Sequence, residues 1–116
     1  MIDVVKLTDK YLTAFEVRDL DALSALYSDN VALDEWGENQ FIGKDSVLNT
    51  NKGLFEKFAT IYVRLENQGC CGSITMNQLV VTLENETECL KVRVVDFIDF
   101  DESTGLIKSI VVYRGF

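Results

Sequence analysis

The sequence predicts an α+β fold in which three N-terminal helices pack in the concave face of a curved, mainly antiparallel sheet, giving a cone-shaped roll. Before Thr60, apolar side chains recur at the three- and four-residue spacing of amphipathic helices. From Thr60 onward, β-branched and aromatic runs alternate with turn residues. No segment between the later strands is long enough for a crossover helix, which excludes parallel βαβ units. Helices followed by a meander of strands indicate the α+β class.

Two helices with acidic caps are predicted at the start of the chain. Asp3 and Asp19 each precede an apolar stripe and can accept hydrogen bonds from the first free backbone N–H groups of a helix. The first helix covers about residues 3–17, and its stripe consists of Val4, Leu7, Tyr11, Ala14 and Phe15. The second is short, with Leu20, Leu23 and Leu26 on its buried side.

A short strand and a third helix come next. The strand runs from Val31 to Trp36 and ends at Gly37, after which a loop leads to Gly43. The third helix covers about residues 44–58, because the glycine at position 53 weakens a helix without forbidding it. Four later strands are expected at residues 60–67, 73–83, 88–100 and 106–114.

Size and charge limit what the chain can be. The 116 residues fit one domain over residues 1–116, and 47% hydrophobic residues exclude a disordered chain. A net charge of −8 argues against phosphate-binding surfaces, so neither nucleic acid nor membrane is expected as a partner. The apolar runs are too short to span a membrane, and Asp3 is acidic where a signal peptide would be basic. These features favour a cytoplasmic location.

The chemistry available to the chain is limited by its lack of histidine. Three cysteines, two of them adjacent at Cys70 and Cys71, do not make a disulfide framework, and no histidine completes a zinc-type ligand set. We therefore expect no metal and no other cofactor. Serine–histidine and cysteine–histidine mechanisms are excluded as well, so any proton transfer must use carboxylates, tyrosines or lysines.

A single carboxylate interrupts an apolar strand face near the C-terminus. Asp96 is the polar member of an alternating set that otherwise contains Leu90, Val92, Val94, Ile98 and Phe100. Burial makes such a group expensive to ionise, so we expect its pKa to be raised and the carboxyl to stay protonated near neutral pH. Two alternatives are a bulge that turns Asp96 to the rim, or an ion pair with Arg114.

Two further candidates lie in the first half of the chain. Glu35 shares a strand face with Val31 and Leu33, which favours an inward direction, although the neighbouring Asp34 is an alternative and both side chains could be solvated at the strand end. Tyr11 lies on the apolar stripe of the first helix, where its hydroxyl would need a partner in the interior.

Two segments carry a resemblance to a known family. The segment KYLTAFEVRDLDALSALYSDNVALDEWG from Lys10 resembles the helix, Asp-Leu-Asp, helix and acidic-strand pattern of the SnoaL-like and ketosteroid isomerase families. The ending VVDFIDFDESTGLIKSIVVYRGF is similar to their last two strands, and GKDSV from Gly43 to their third helix start. The resemblance covers nearly the whole chain and implies the fold described above.

The resemblance also implies roles for the three candidates. Tyr11 falls where the isomerases keep an oxyanion-binding tyrosine, Glu35 where they keep the catalytic base, and Asp96 where they keep a protonated aspartate. In this scheme a carboxylate moves a proton next to a carbonyl while two neutral donors hold the developing enolate oxygen.

Departures from the family pattern concern the expected ligand-binding residues. Trp36 stands where those enzymes have proline, and Tyr27 matches a tyrosine whose usual tyrosine partner is replaced by Asn51. Arg114 replaces an apolar or aromatic residue near the cavity. These changes disfavour a steroid, and an arginine near the mouth suits a smaller or anionic ligand.

The sequence predicts a cofactor-independent, isomerase-like proton transfer on a carbonyl compound, or a related lyase or cyclase. The alternative is a non-catalytic ligand-binding or dimerisation module, in which the hollow holds a small apolar ligand or is simply filled. A cavity closed by Trp36, Phe41 and Phe97 would separate this module from the enzyme. In either case we expect a homodimer, because the apolar run at residues 110–113 suits a strand covered on both sides. A water-activating set that includes Arg93 and Asp96, as in limonene epoxide hydrolases, is disfavoured because a spacing of three places them on opposite strand faces.

Overall fold

Three helices and six strands make up the fold. The computed structural model describes residues 2–115, so the ends of the predicted domain, Met1 and Phe116, lie outside it. The helices are α1 (Val4–Glu16), α2 (Leu20–Leu26) and α3 (Lys44–Lys57). The strands are β1 (Tyr27–Glu35), β2 (Asn39–Ile42), β3 (Thr60–Cys71), β4 (Ile74–Glu84), β5 (Cys89–Phe100) and β6 (Ile107–Gly115). The predicted α+β class is confirmed.

The first two helices begin at the predicted acidic caps. The Asp3 side chain accepts from the backbone N–H of Lys6 at 3.1 Å, and the Asp19 side chain accepts from that of Ala22 at 3.0 Å. Arg18, with a φ of 58°, takes a left-handed conformation that reverses the chain between α1 and α2. Within residues 2–115, no helix is both long enough and apolar enough to cross a membrane.

All six strands belong to one sheet with the order β2-β1-β6-β5-β4-β3. Neighbouring strands run antiparallel except β1 and β6, which are parallel. The last strand of the chain therefore lies near the middle of the sheet, between β1 and β5. This order brings residues from the first third and the last fifth of the chain to one face.

The sheet is curved, and the helices pack on one of its faces. Strand pairing shifts register between Leu65 and Asn67 in β3 and between Asp99 and Phe100 in β5, and such bulges bend a strand. Helix α1 packs against β3 and β4, α3 packs against β1, and α2 contacts both other helices. The largest fully buried side chains between these layers are Leu23, Tyr27, Ile98, Phe100, Ile107 and Ile110.

Two strands differ from the sequence-based expectation. Residues 39–42, predicted as a loop, form β2 and pair with β1, with Phe41 opposite Leu33. Only Phe41 and Ile42 are apolar in that segment, which is too short to show an alternating pattern. Strand β1 begins at Tyr27 rather than Val31, because Tyr27 pairs with Ile107 of β6 across the polar segment 28–30.

Candidate functional site

A pocket of about 210 Å³ lies between α1, α3 and the concave face of the sheet. Most of its wall is apolar and includes Leu12, Phe15, Leu54, Leu79, Val94 and Val112. An engineered cavity of roughly 150 Å³ is known to hold benzene, whereas pockets for drug-sized ligands start near about 300 Å³. The enclosed space therefore matches a ligand with a single ring or a short chain.

Tyr11, Glu35 and Asp96 all line this pocket. Strand register explains how two of them meet, because Glu35 of β1 lies beside Val112 of β6, which lies beside Asp96 of β5. Neighbouring strands are about 4.8 Å apart, so the Glu35 and Asp96 backbones are about 10 Å from each other. Two carboxyl groups thus face one apolar space from strands separated by a single intervening strand.

Asp96 is the most unusual group in the pocket. Its side chain is buried, with the residue only 5% exposed, and its Oδ1 atom has no hydrogen-bond partner. Burial raises the pKa of Asp96 from 3.8 to about 6, while the Asn77 side chain counteracts part of the rise. The raised pKa agrees in direction with the expectation. Protonation at neutral pH does not follow, because a carboxyl of pKa about 6 is about one-tenth protonated at pH 7.

Tyr11 lines the same pocket from α1. The residue is 7% exposed, and burial raises the pKa of Tyr11 well above its ordinary value, with Tyr27 and Asp96 adding to the rise. The phenol is therefore neutral throughout the physiological pH range and is able to donate a hydrogen bond.

Tyr27 and Asn51 lie behind Tyr11 and do not line the pocket. The Tyr11 and Tyr27 ring centroids are 6.4 Å apart, and the Tyr27 hydroxyl donates to Oδ1 of Asn51 at 2.7 Å. Both are buried, Tyr27 completely. The sequence suggested that Tyr27 and Asn51 contact a ligand directly. A ligand in this pocket would reach them only if the pocket extended past Tyr11.

Of the two neighbouring carboxylates of β1, Glu35 lines the pocket and Asp34 does not. Glu35 is half-buried and shares its strand face with the buried Val31 and Leu33, whereas Asp34 alternates to the opposite face. The carboxylate at the pocket edge is therefore the one that the sequence pattern favoured.

The mouth of the pocket is formed by Trp36, Glu38 and Arg114, together with Glu35. Trp36 is 66% exposed and packs against Tyr113, with ring centroids 5.4 Å apart. Arg114 lies 3.9 Å from the carboxylate of Glu38, and both side chains are exposed. Arg114 therefore pairs with Glu38 and not with Asp96, so the predicted alternative of an Arg114–Asp96 ion pair is wrong.

The hollow is not closed by the three aromatic residues that the binding-module alternative would need. Trp36 lies at the mouth, and neither Phe41 nor Phe97 belongs to the pocket lining. Arg93 is exposed and also lies outside the lining, on the strand face opposite Asp96. The pocket is therefore open to ligands, and the disfavoured Arg93–Asp96 set does not assemble in it.

Sequence reasoning missed two residues of the site. Glu38 is the ion-pair partner of Arg114, and its position at a turn carried no signal. Asn77 lies opposite Asp96 on β4 and is completely buried. A signal for Asn77 did exist, because it occurs among alternating inward positions that also include Leu79, Val81 and Leu83.

The pocket thus contains one half-buried carboxylate, Glu35, and two buried groups, Tyr11 and Asp96, that can donate a hydrogen bond when they are protonated. A carboxylate such as Glu35 can accept a proton, and a phenol or protonated carboxyl can donate to an oxygen that gains charge. The apolar wall strengthens such interactions because it excludes water.

Comparisons with known proteins agree with this fold. The family model described as "SnoaL-like domain" matches residues 8–110. No curated protein matches the chain in sequence. Among solved structures, an LEH-like epoxide hydrolase of M. tuberculosis is similar with a TM-score of 0.86 and 15% identity, covering 97% of this chain and 82% of its own.

Two other structures show the same likeness. A candidate SnoaL-like polyketide cyclase from Shewanella denitrificans OS-217 has a TM-score of 0.84 and 16% identity over 97% of this chain and 90% of its own. A candidate ketosteroid isomerase from Kribbella flavida DSM 17836 has a TM-score of 0.81 and 17% identity over 97% of this chain and 78% of its own. These likenesses show the fold, and the family match covers most of the sequence. The chain therefore belongs to the family of SnoaL-like domains.

Proposed function

We propose that this protein catalyses a cofactor-independent, isomerase-like proton transfer on a small carbonyl compound. Glu35 acts as the base, and Tyr11 together with protonated Asp96 donates hydrogen bonds to the carbonyl oxygen. The observation that carries the proposal is the convergence of these three side chains on one open, mainly apolar pocket. Similarity to candidate cyclases and isomerases supports the same class of chemistry.

In the proposed reaction, Glu35 removes a proton from the carbon next to the carbonyl group. The electrons of that C–H bond form a carbon–carbon double bond, and the carbonyl oxygen gains negative charge that Tyr11 and Asp96 stabilise. The protonated Glu35 then returns the proton to another carbon of the same conjugated system. Proton and electrons balance within the substrate, so the reaction needs no oxidant and no cofactor.

The pocket supports a small substrate. The pocket of about 210 Å³ is lined mainly by aliphatic side chains, with Tyr11, Glu35 and Asp96 among its few polar groups. A single-ring or short-chain ketone fits such a space, whereas a steroid would extend far into solvent. We therefore place the substrate among carbonyl compounds of about ten non-hydrogen atoms.

A direct test follows the conversion of a single-ring β,γ-unsaturated ketone to its conjugated isomer by ultraviolet absorbance. The Glu35→Gln variant should lose at least about 100-fold in rate, because the base is removed while the side-chain shape is kept. Asp34→Asn is the matched control, since it removes the neighbouring carboxylate outside the pocket. Equal losses in both variants, or tight ligand binding without turnover by the wild type, would favour the non-catalytic binding module.

The proposal includes a homodimer formed through the sheet face opposite the helices. That face carries an aromatic group in which Tyr113 contacts Phe97 edge-on at 5.6 Å and Trp36 at 5.4 Å. Met76 and Ile42 are large exposed apolar side chains of the same sheet. Sedimentation equilibrium should give twice the chain mass for the wild type and a monomer for Phe97→Glu. The predicted cytoplasmic location belongs to the same proposal.

A further inference from the structure

A chain of hydrogen-bonded polar side chains runs beside Asp96, from the exposed Gln68 on β3 through β4 to α1. Gln68 donates from Nε2 to Oδ1 of Asn77 at 2.9 Å, and Nδ2 of Asn77 donates to Oγ1 of Thr75 at 3.0 Å. The Thr75 hydroxyl lies 2.9 Å from that of Thr8 on α1. Thr8, Thr75 and Asn77 are completely buried, so the two contacts among them are made away from solvent, whereas the contact with Gln68 is part-buried.

These contacts and the nearby carboxyl group favour one orientation of the Asn77 amide. Its oxygen is occupied by Gln68 and one of its N–H groups by Thr75. An amide nitrogen has two N–H groups, so a second donor remains on the same side. Asn77 and Asp96 are direct register partners on β4 and β5. If the amide turned over, its oxygen would approach the carboxylate and its nitrogen would lose the oxygen of Thr75.

We propose that Asn77 is a positioning residue for Asp96, held by Gln68 and Thr75 so that an amide N–H faces the carboxyl group from the neighbouring strand. Stabilisation of the carboxylate by this donor opposes the effect of burial on the pKa of Asp96. Asn77 thus keeps the pKa of Asp96 below the value that burial alone would give. The consequence for catalysis rests on the proposed function, but the effect on Asp96 does not.

Other titratable groups also lie around the Asp96 carboxyl, and the substitutions used in the test leave all of them in place. Tyr11 faces it from α1, Glu35 lines the pocket from β1, and Glu38 and Arg114 form the ion pair at the mouth. Tyr27 lies behind Tyr11. A substitution at Asn77 or Gln68 alters none of these side chains, so a change in the Asp96 midpoint reports on the amide.

Carbon-detected NMR titration of the Asp96 carboxyl tests the inference. In Asn77→Leu, which is similar in size and has no donor, the midpoint should rise by about one pKa unit. Gln68→Ala removes an exposed side chain, keeps the fold, and should raise the midpoint by a smaller amount because the amide is free to turn over. The matched control is Asn67→Ala, which breaks the adjacent exposed Asn67–Gln78 amide contact of 2.9 Å and should leave the midpoint unchanged.

An unchanged or lower midpoint in Asn77→Leu overturns the inference. If Asn77→Leu does not fold, a Gln68→Ala midpoint equal to that of the Asn67→Ala control overturns it instead. The titration requires no substrate, so it stands apart from the test of the proposed function. If ketone isomerisation is found, its pH profile should shift to higher pH in Asn77→Leu together with the Asp96 midpoint.

Discussion

Arg114 pairs with Glu38 at the pocket mouth, 3.9 Å between guanidinium nitrogen and carboxylate oxygen, and no cation among residues 2–115 pairs with Asp96. A guanidinium beside Asp96 would have lowered its pKa, whereas burial without a counterion raises it to about 6. The buried carboxyl therefore changes its protonation state around pH 6.

We expect the Arg114→Gln variant to leave the Asp96 midpoint within about 0.3 pKa units of the wild-type value, because an exposed ion pair at the mouth is screened by water. The measurement is the same carboxyl NMR titration, with Glu38→Gln as the matched control. A rise of a full unit in Arg114→Gln alone would show that the guanidinium acts on Asp96 directly.

We expect Asp96→Asn to stabilise the protein at pH 8 by about 3 kcal/mol, because burial makes the ionised carboxyl unfavourable and the Asn77 side chain offsets this only in part. The pKa of Asp96 is raised from 3.8 to about 6 in the folded state, so its penalty is absent below pH 3.8, grows as pH rises towards 6, and is constant above that. Urea unfolding of the wild type and of Asp96→Asn at pH 4 and pH 8 measures the difference in the free energy of unfolding at each pH.

The same experiment has an internal control. Asp34→Asn, outside the pocket, should change the free energy of unfolding by less than about 0.5 kcal/mol at either pH. If Asp96→Asn gives equal changes at pH 4 and pH 8, its effect comes from packing rather than from charge.

Activity should fall as pH rises through about 6, since the proposed donor role requires a protonated Asp96. The measurement is kcat/KM for the β,γ-unsaturated ketone between pH 5 and pH 8. The Asp96→Asn variant keeps a neutral hydrogen-bond donor at this position. Its activity should not fall as pH rises through 6, and it should exceed the activity of Asp96→Ala. An activity that instead increases through pH 6 would assign Asp96 the role of base.

Tyr11→Phe should lower kcat about 100- to 1,000-fold, the usual cost of removing one donor to a developing oxyanion. Tyr27→Phe removes a hydroxyl outside the pocket and leaves Oδ1 of Asn51 unsatisfied. It should cost about 1–3 kcal/mol of stability and much less activity. Equal losses of kcat in the two variants would contradict a direct role for the Tyr11 hydroxyl.

Local sequence signals predicted much of this fold. Asp3 and Asp19 cap the first two helices because each precedes an apolar stripe with helical spacing, and capping depends on only a few neighbouring residues. The long strands alternated clearly enough to place Asp96 on the inner face. Strand β2 was missed because its four residues form a strand only by pairing with β1.

The parts of the site that escaped prediction depend on contacts across strands. The partner of Arg114 is a turn residue, Glu38, and no periodic pattern indicates such a pair. Asn77 becomes a neighbour of Asp96 only through the β4–β5 register, which a single sequence does not state. Hence the candidate side chains were predictable one at a time, while the pKa of Asp96 depended on their surroundings.

Because β6 lies between β1 and β5, its pairing with these two strands sets the distance between opposite walls of the pocket. Val112 has Glu35 on one side and Asp96 on the other, so the distance between those two carboxyl groups depends on the register of β6 with β1 and with β5. A slip of one residue would turn Val112 to the outer face and offset Glu35 from Asp96 along the strands. The turn at residues 101–106 is closed by the Asp101 N–H, which donates to the Leu106 carbonyl at 2.8 Å, and by the Gly105 N–H, which donates to the Asp101 carbonyl at 2.7 Å. This turn fixes the alignment of β6 with β5. Insertions there should thus be far less tolerated than insertions at the Gly72 hairpin, although both are surface loops.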